Sequence, residues 1–349
     1  MKNMKKWRKK RKFKRNLGLK RFKNPPGGPK RKFSLYKRLY YFLKRLFHLP
    51  TPAFPETFII PPHEAAKKYN ELKHENTITW LGHSTFLIKL NGKTILTDPF
   101  LTDYASPFPI IGPKRYTPPG MTIEHLPPID IVIISHDHYD HCDARTLAHL
   151  PHKDKIQIIV PLKLGYLFEK LGYENIQELN WGEYWSVDEI KIHALPAYHY
   201  SKRYLFTSNT SLWASYAIET QHSKIYFSGD TAYGALFQEL GKSHGPFDYA
   251  LLSIGAYEPA YFMLASHLSP EQAVQVGRDL RAKTLVAMHW ATINLSDEPI
   301  LEPPLRFYHA AQIAQYPYYD IWILNIGETR KLHKKRKGSY MDPISTNLF

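Results

Sequence analysis

The chain has a single cysteine, Cys142, in 349 residues. This excludes a disulfide framework and a cysteine-based zinc finger, and it fits a reducing compartment. No Asp or Glu occurs before Glu56. No apolar run approaches the ~18 residues that mark a membrane-spanning helix. Common catalytic signatures are absent too. Gly92-Lys93-Thr94 is not a phosphate-binding loop, because Leu87 stands where that loop requires its first glycine. There is no G-x-S-x-G elbow and no G-x-G-x-x-G turn.

The missing acids coincide with an excess of bases. Residues 1–50 hold 20 of the 47 lysines and arginines, which leaves 27 basic against 31 acidic residues in the rest. The +16 formal charge is therefore made by the N-terminus, and the remainder is near −4. Residues 1–32, with Pro25-Pro26-Gly27-Gly28-Pro29, read as a disordered Lys/Arg block. Residues 33–49 differ: Leu35, Leu39, Phe42, Leu43, Leu46 and Leu49 recur at three- and four-residue spacing opposite Lys37, Arg38, Lys44 and Arg45. That pattern predicts a basic amphipathic helix suited to an anionic membrane interface. Its longest apolar run, Leu39 to Leu43, is too short for a signal peptide. A Lys/Arg block also neutralises nucleic-acid phosphates, but the apolar stripe favours membrane over nucleic acid. The expected location is cytoplasmic, peripheral at the inner membrane face. A second basic tail starts at residue 331.

The length allows one large or two modest domains. A hydrophobic content of 43% and 14% aromatics supply a substantial core, while 27 prolines argue for many turns. Residues 51–76 read as a linker and entry loop. Strand-like runs fall at 78–81, 85–90, 94–97, 131–135, 156–160, 190–195, 212–219, 225–229, 249–253, 285–289 and 321–325. Helical patterns fall at 144–150, 162–171, 234–241, 270–281 and 305–315. No repeat at a fixed short period is visible.

The densest chemistry is Ile134-Ser135-His136-Asp137-His138-Tyr139-Asp140-His141, directly after the apolar run from Ile131. Such a run reads as a buried strand, so the cluster falls on the turn at its C-terminal end. Imidazole and carboxylate are ligands that borderline metals such as Zn²⁺ prefer. On an extended segment His136 and His138 point the same way. Asp140 and His141 lie past the turn and can face a second ion. One stray pair would mean little among 18 histidines, but an ordered H-x-H-x-D-H string behind a strand is specific. Cys142 reads as a small packing residue. His199, Asp230 and His289 also follow strand-like runs, at Ile190–Leu195, Ile225–Ser228 and Leu285–Met288.

This order of His/Asp sites resembles the metallo-β-lactamase superfamily. Trp80-Leu81-Gly82-His83-Ser84-Thr85, Leu96-Thr97-Asp98-Pro99, Gly112-Pro113-Lys114-Arg115-Tyr116, Leu126-Pro127-Pro128-Ile129-Asp130, Gly245-Pro246-Phe247-Asp248, Ile254 to Pro259 and Leu301-Glu302-Pro303-Pro304 resemble one branch of it. That branch is the N-acylphosphatidylethanolamine-hydrolysing phospholipase D type, and the likeness covers residues 55–310. It implies an α/β fold: an αβ/βα four-layer sandwich of two mixed sheets flanked by helices, here over residues 51–330. It implies two Zn²⁺ per chain, with His136, His138 and His199 on the first, Asp140, His141 and His289 on the second, and Asp230 bridging. It also implies Asp98 as a support behind the ligands, and Asp140 and His267 as catalytic residues. His267 precedes Ser269-Pro270-Glu271, which itself reads as a helix start. The resemblance implies hydrolysis of a membrane phospholipid to phosphatidic acid and an N-acylethanolamine, and it leaves a homodimer open. Ala197-Tyr198-His199-Tyr200 and Met263-Leu264-Ala265-Ser266 depart from the branch's usual wording, which leaves headgroup and acyl-chain preference open. Two alternatives remain: a hydrolase of a soluble phosphodiester, nucleic acid or sugar lactone, and a non-catalytic polyanion-binding protein with a structural metal site.

Overall fold

The computed structural model describes residues 21–30 and 53–332. The amphipathic pattern at 33–49, most of the N-terminal basic block and the tail beyond 332 lie outside the described residues. Two seven-stranded sheets form the body. The first contains β1 (Thr77–Trp80), β2 (Phe86–Leu90), β3 (Lys93–Thr97), β4 (Ile131–Ile133), β5 (Gln157–Pro161) and β6 (Asn175–Leu179). The second contains β7 (Tyr184–Val187), β8 (Ile190–Leu195), β9 (Ser215–Glu219), β10 (Lys224–Phe227), β11 (Tyr249–Ser253), β12 (Thr284–Met288) and β13 (Ile321–Trp322). A last strand, β14 (Thr329–Lys331), returns to the first sheet beside β1.

Both sheets are wired alike. In the first, β1 to β3 form an antiparallel meander, and β3 to β6 run parallel. In the second, β7 to β10 form the meander, and β10 to β13 run parallel. Helices supply the parallel crossovers: α2 (Ala144–His149) and α3 (Gly165–Lys170) in the first half, α4 (Leu236–His244), α6 (Pro270–Asp279) and α7 (Glu302–Ile313) in the second. The remaining helices are α1 (Pro62–Glu71) and the short α5 (Ala260–Met263).

Alternation explains why the central strands are apolar throughout. Ile88, Ile95, Ile131, Ile133 and Ile159 face a core shared with Ile192, Ile218, Ile225 and Phe227 of the second sheet. Their neighbours Leu87, Leu96, Val132, Ile158 and Val160 point the other way, into a second core with Leu147 of α2 and Leu167 and Phe168 of α3. Strands buried on both faces need apolar residues at every position. Among the described residues no helix is long and apolar enough to cross a membrane.

Two expectations need correction. Residues 51–76 are not only a linker, because 62–71 form α1. Pro61-Pro62 looks like a break, yet proline is tolerated at the first helical position, where its missing N–H costs nothing. Residues 21–30 are not part of a disordered block. Phe22 N–H donates to Asn209 O (2.9 Å), and the Tyr198 hydroxyl donates to Pro26 O (2.8 Å). Tertiary contacts order a Pro/Gly segment whose composition alone predicts disorder.

Candidate metal centre

Every candidate ligand sits just past the C-terminal end of a strand. β4 delivers His136, His138, Asp140 and His141; β8 delivers His199, β10 Asp230 and β12 His289. At strand ends the ladder stops and the backbone can turn, so side chains from several strands converge there. The turn after β10 depends on Gly229, which has a φ of +53°. A Cβ there would lie 2.5 Å from Ser135 Cβ, so only glycine lets the Asp230 turn approach the His136 loop so closely.

All seven candidate ligands are brought together. Donor atoms of His136, His138, His199 and Asp230 lie within 4.8 Å of one another, as do those of Asp140, His141, His289 and His83. Asp230 lies between the two groups. Its Oδ2 is 3.9 Å from His136 Nε2, 3.7 Å from His199 Nε2 and 3.3 Å from His141 Nε2, while Oδ1 is 3.1 Å from His289 Nε2.

A further layer fixes the rings. Asp98 accepts from Ser135 N–H (2.6 Å) and from the Ser135 hydroxyl, and pairs with His141 Nδ1 at 2.7 Å. His141 Nε2 is thereby turned to the centre, the usual way a carboxylate orients a ligating imidazole. Ser135 Oγ lies 2.9 Å from His136 Nδ1, and His199 Nδ1 meets Ser266 O at 2.8 Å. Asp137 points away from the centre. It accepts from Lys202 N–H and the Ser211 hydroxyl (both 2.8 Å), and the Arg203 guanidinium bonds Asp137 O and Cys142 O. These bonds tie the 136–142 loop to the 201–211 loop. Burial pushes the Cys142 thiol up to about 12, as befits an inert packing residue.

The residues fit a metal on physical grounds. His141 Nε2, His289 Nε2 and Asp230 Oδ1 are buried and make no hydrogen bond of proper geometry among the described residues. Such atoms are costly unless something binds them. Burial and the surrounding imidazoles of His141, His138 and His199 hold His136 well below the ordinary imidazole value, so it presents a lone pair. Burial disfavours a charged His141, yet Asp230 and Asp140 together raise it well above its usual value. The field at this point calls for positive charge, which a cation supplies.

His267 is 8% exposed, with Nδ1 3.7 Å from Asp230 Oδ2. Burial lowers it to about 4, against the pull of Asp230, so it is neutral at pH 7. It also precedes α6, which starts with a reciprocal Ser269–Gln272 capping box. His267 thus lies beside the donor cluster and also just before a helix start.

His83 was not among the candidate site residues, although its motif supported the resemblance. It lies past β1, with Nε2 3.0 Å from Asp140 Oδ2 and its ring centroid 4.1 Å from that of His289. Burial, assisted by His289, lowers it to about 3 against the opposing Asp140 contact. As a neutral imidazole it can donate Nε2–H to Asp140 Oδ2, the oxygen that also lies 3.4 Å from His141 Nε2. The available signal was its place: one more histidine behind an apolar strand.

The family described as Beta-lactamase superfamily domain matches residues 93–290, which include all seven candidate ligands. The chain belongs to the metallo-β-lactamase superfamily. Members related to it carry a specific activity in their names. N-acyl-phosphatidylethanolamine-hydrolyzing phospholipase D 1 of Caenorhabditis elegans is 40% identical over 239 residues, 64% of this chain and 67% of that protein. The uncharacterized protein Rv0906 of Mycobacterium tuberculosis is 40% identical over 240 residues, and the match spans 67% of this chain but 64% of the relative's length. Among solved structures, the metallo hydrolase Igni18 of Ignicoccus hospitalis aligns with a TM-score of 0.56 at 22% identity, over 74% of this chain and 99% of that one. That likeness confirms the two-sheet α/β fold. The superfamily's metal-dependent hydrolases and the His/Asp clusters here agree: this is a metallo-hydrolase scaffold able to hold metal.

Proposed function

We propose that the protein is a zinc-dependent phosphodiesterase that hydrolyses an N-acylphosphatidylethanolamine-type phospholipid to phosphatidic acid and an N-acylethanolamine. The observation that carries this reading is the setting of the donor cluster. It opens into a cleft of about 320 Å³ lined by His138, Asp140, Asp230 and His267, and also by Ala105, Pro113, Tyr200, Lys202 and Phe262. The loops rooted at Ala105, Pro113 and Lys202 carry exposed Phe108, Ile110, Ile111, Leu205 and Phe206, and α5 carries exposed Tyr261 beside Phe262. Apolar tips around a polar cleft suit a substrate with a charged phosphodiester and acyl chains. The named C. elegans relative supports the same substrate class.

The donors divide into two sets that share Asp230, which is why we infer two ions. His136, His138, His199 and Asp230 would hold one, and Asp140, His141, His289 and Asp230 the other. Zn²⁺ bound there supplies a water acidified to near neutrality and neutralises charge on phosphoryl oxygens. The chain's own groups do the rest. Asp140, held by His83 at 3.0 Å, orients the attacking water. His267, neutral and at the cleft wall, donates an N–H to a phosphoryl oxygen as charge builds there. Lys202 at the mouth attracts the anionic phosphodiester. The basic segment 1–50 and its amphipathic stretch would bring the enzyme to the anionic inner face of a cytoplasmic membrane.

Product analysis tests this reading. Purified protein is incubated with vesicles containing N-acylphosphatidylethanolamine and, in parallel, with bis-p-nitrophenyl phosphate and a lactone panel. Mass spectrometry should detect phosphatidic acid and N-acylethanolamine in equal amounts. Replacing Leu39, Phe42 and Leu46 by Ser should lower turnover on vesicles and leave the soluble diester unaffected. Turnover of a lactone or soluble diester with no lipid product would replace this reading with the soluble-substrate alternative.

A further inference from the structure

Residues 21–30 lie against the segment that carries His199, about 170 positions further along the chain. Asn24 Oδ1 accepts the backbone N–H of His199 at 3.0 Å, and Pro26 O accepts the Tyr198 hydroxyl at 2.8 Å. The fit around Tyr198 is close. A Cβ on Gly28 would lie 2.3 Å from Tyr198 Cδ1, and one on Gly234 would lie 2.5 Å from Tyr198 Cε2 and 2.8 Å from Gly27 O. Gly27 itself has a φ of +86°. Glycine backbone from two distant parts of the chain thus encloses one buried ring. Pro25, Pro26 and Pro29 restrict the unfolded segment and lower the entropy lost on docking. The far side of Tyr198 is tied to the Asp230 turn: Tyr198 N–H donates to Thr231 Oγ1 (3.0 Å), and Ala232 N–H donates to Tyr198 O (2.8 Å).

Asn24 is exposed, whereas His199 is 1% exposed. The hydrogen bond therefore gives a surface residue no burial of its own, but it satisfies the N–H of a buried donor residue. Ser266 O holds the His199 ring, and Asn24 holds its backbone.

We propose that residues 24–28 form a positioning strap, in which Asn24 fixes the backbone of His199 and the Gly27-Gly28 turn locks Tyr198, so that the His136/His138/His199 donor set is complete only with the strap seated. This rests on reading His199 as a metal donor. The strap touches neither substrate nor metal; it acts through His199.

The test uses full-length protein and Zn²⁺ as the probe. Asn24→Leu removes the acceptor at similar volume, and Gly28→Ala pushes the turn off the Tyr198 ring. Chelator competition should show Zn²⁺ held about 10- to 100-fold more weakly in each, the usual scale for losing a group that orients a ligand. Cobalt-substituted protein should show an altered ligand-field spectrum. Asn24→Asp retains an acceptor oxygen and should restore both readings. The double variant should be little worse than either single one, because both release the same strap. Unchanged Zn²⁺ affinity and cobalt spectrum in Asn24→Leu and Gly28→Ala, even with a lowered Tm, would reduce the strap to a stabilising contact and overturn the proposal, provided His199→Ala does weaken Zn²⁺. If His199→Ala leaves Zn²⁺ binding intact, the donor reading fails, and the strap's role falls with it.

Discussion

The first sheet delivers its donors from one loop, His136 to His141, behind the single strand β4. The second sheet delivers His199, Asp230 and His289 from three strand ends, β8, β10 and β12. Equivalent wiring in the two halves thus meets the same need in different ways. The first half concentrates its donors in six residues, and Asp98 and Ser135 hold them from behind. The second half contributes one donor per strand, and its donors meet only when the whole sheet is in register. Asp230 belongs to the dispersed half yet approaches donors of the concentrated one. Each four-residue donor cluster draws side chains from both halves.

Asp230→Asn and His136→Ala test that division most severely. Each should reduce hydrolysis to background. Asp230→Asn should lower metal content in both donor sets, and His136→Ala chiefly in one, as read by elemental analysis beside a turnover assay. Equal, single-site losses would show that Asp230 does not join the halves. A smaller effect is expected at His267, contributed by the second half beside the centre. His267→Gln should retain metal and lose about 10²-fold in kcat, the scale of one lost transition-state contact. Near-normal turnover with full metal would leave it only its place before α6.

His83 comes from the first half but lies outside the concentrated loop. His83→Ala should cost about 10- to 100-fold in activity or metal affinity through a loosened Asp140. No change in either would make the 3.0 Å contact incidental. The second sheet, at the strand ends away from the centre, supplies the smallest effect. Lys283 Nζ pairs with Asp248 Oδ1 at 2.7 Å, at the N-terminal ends of β12 and β11. The lysine is 59% exposed, so Lys283→Ala should cost no more than about 1 kcal/mol of stability and no activity. Chemical denaturation and a turnover assay check both numbers.

The same contrast decided what could be read from the sequence. The concentrated loop is a local pattern, and the central strands advertise themselves by apolar runs, so the seven residues that converge and most strands were legible. β6, β7 and β14 were not anticipated. Each lies at the edge of its sheet and is partly exposed, and Asn175–Leu179 and Thr329–Lys331 are rich in polar residues. An edge strand needs no apolar run and is better protected from further pairing by charge. α1 was hidden by Pro61-Pro62. The wiring repeated between the sheets leaves no short-period repeat, because hydrogen-bonded topology can recur without shared residues. His83 and Asn24 illustrate the remaining gap: their roles exist only through partners 57 and 175 positions away.

If both halves build one two-metal centre, removing a donor of the second half should empty one site and leave the other. Metal content per chain, measured by elemental mass spectrometry on active protein and on His289→Ala, decides this. Two Zn²⁺ are expected in the active protein, with a loss confined to one of them in the variant. One metal or none in a fully active preparation would contradict it.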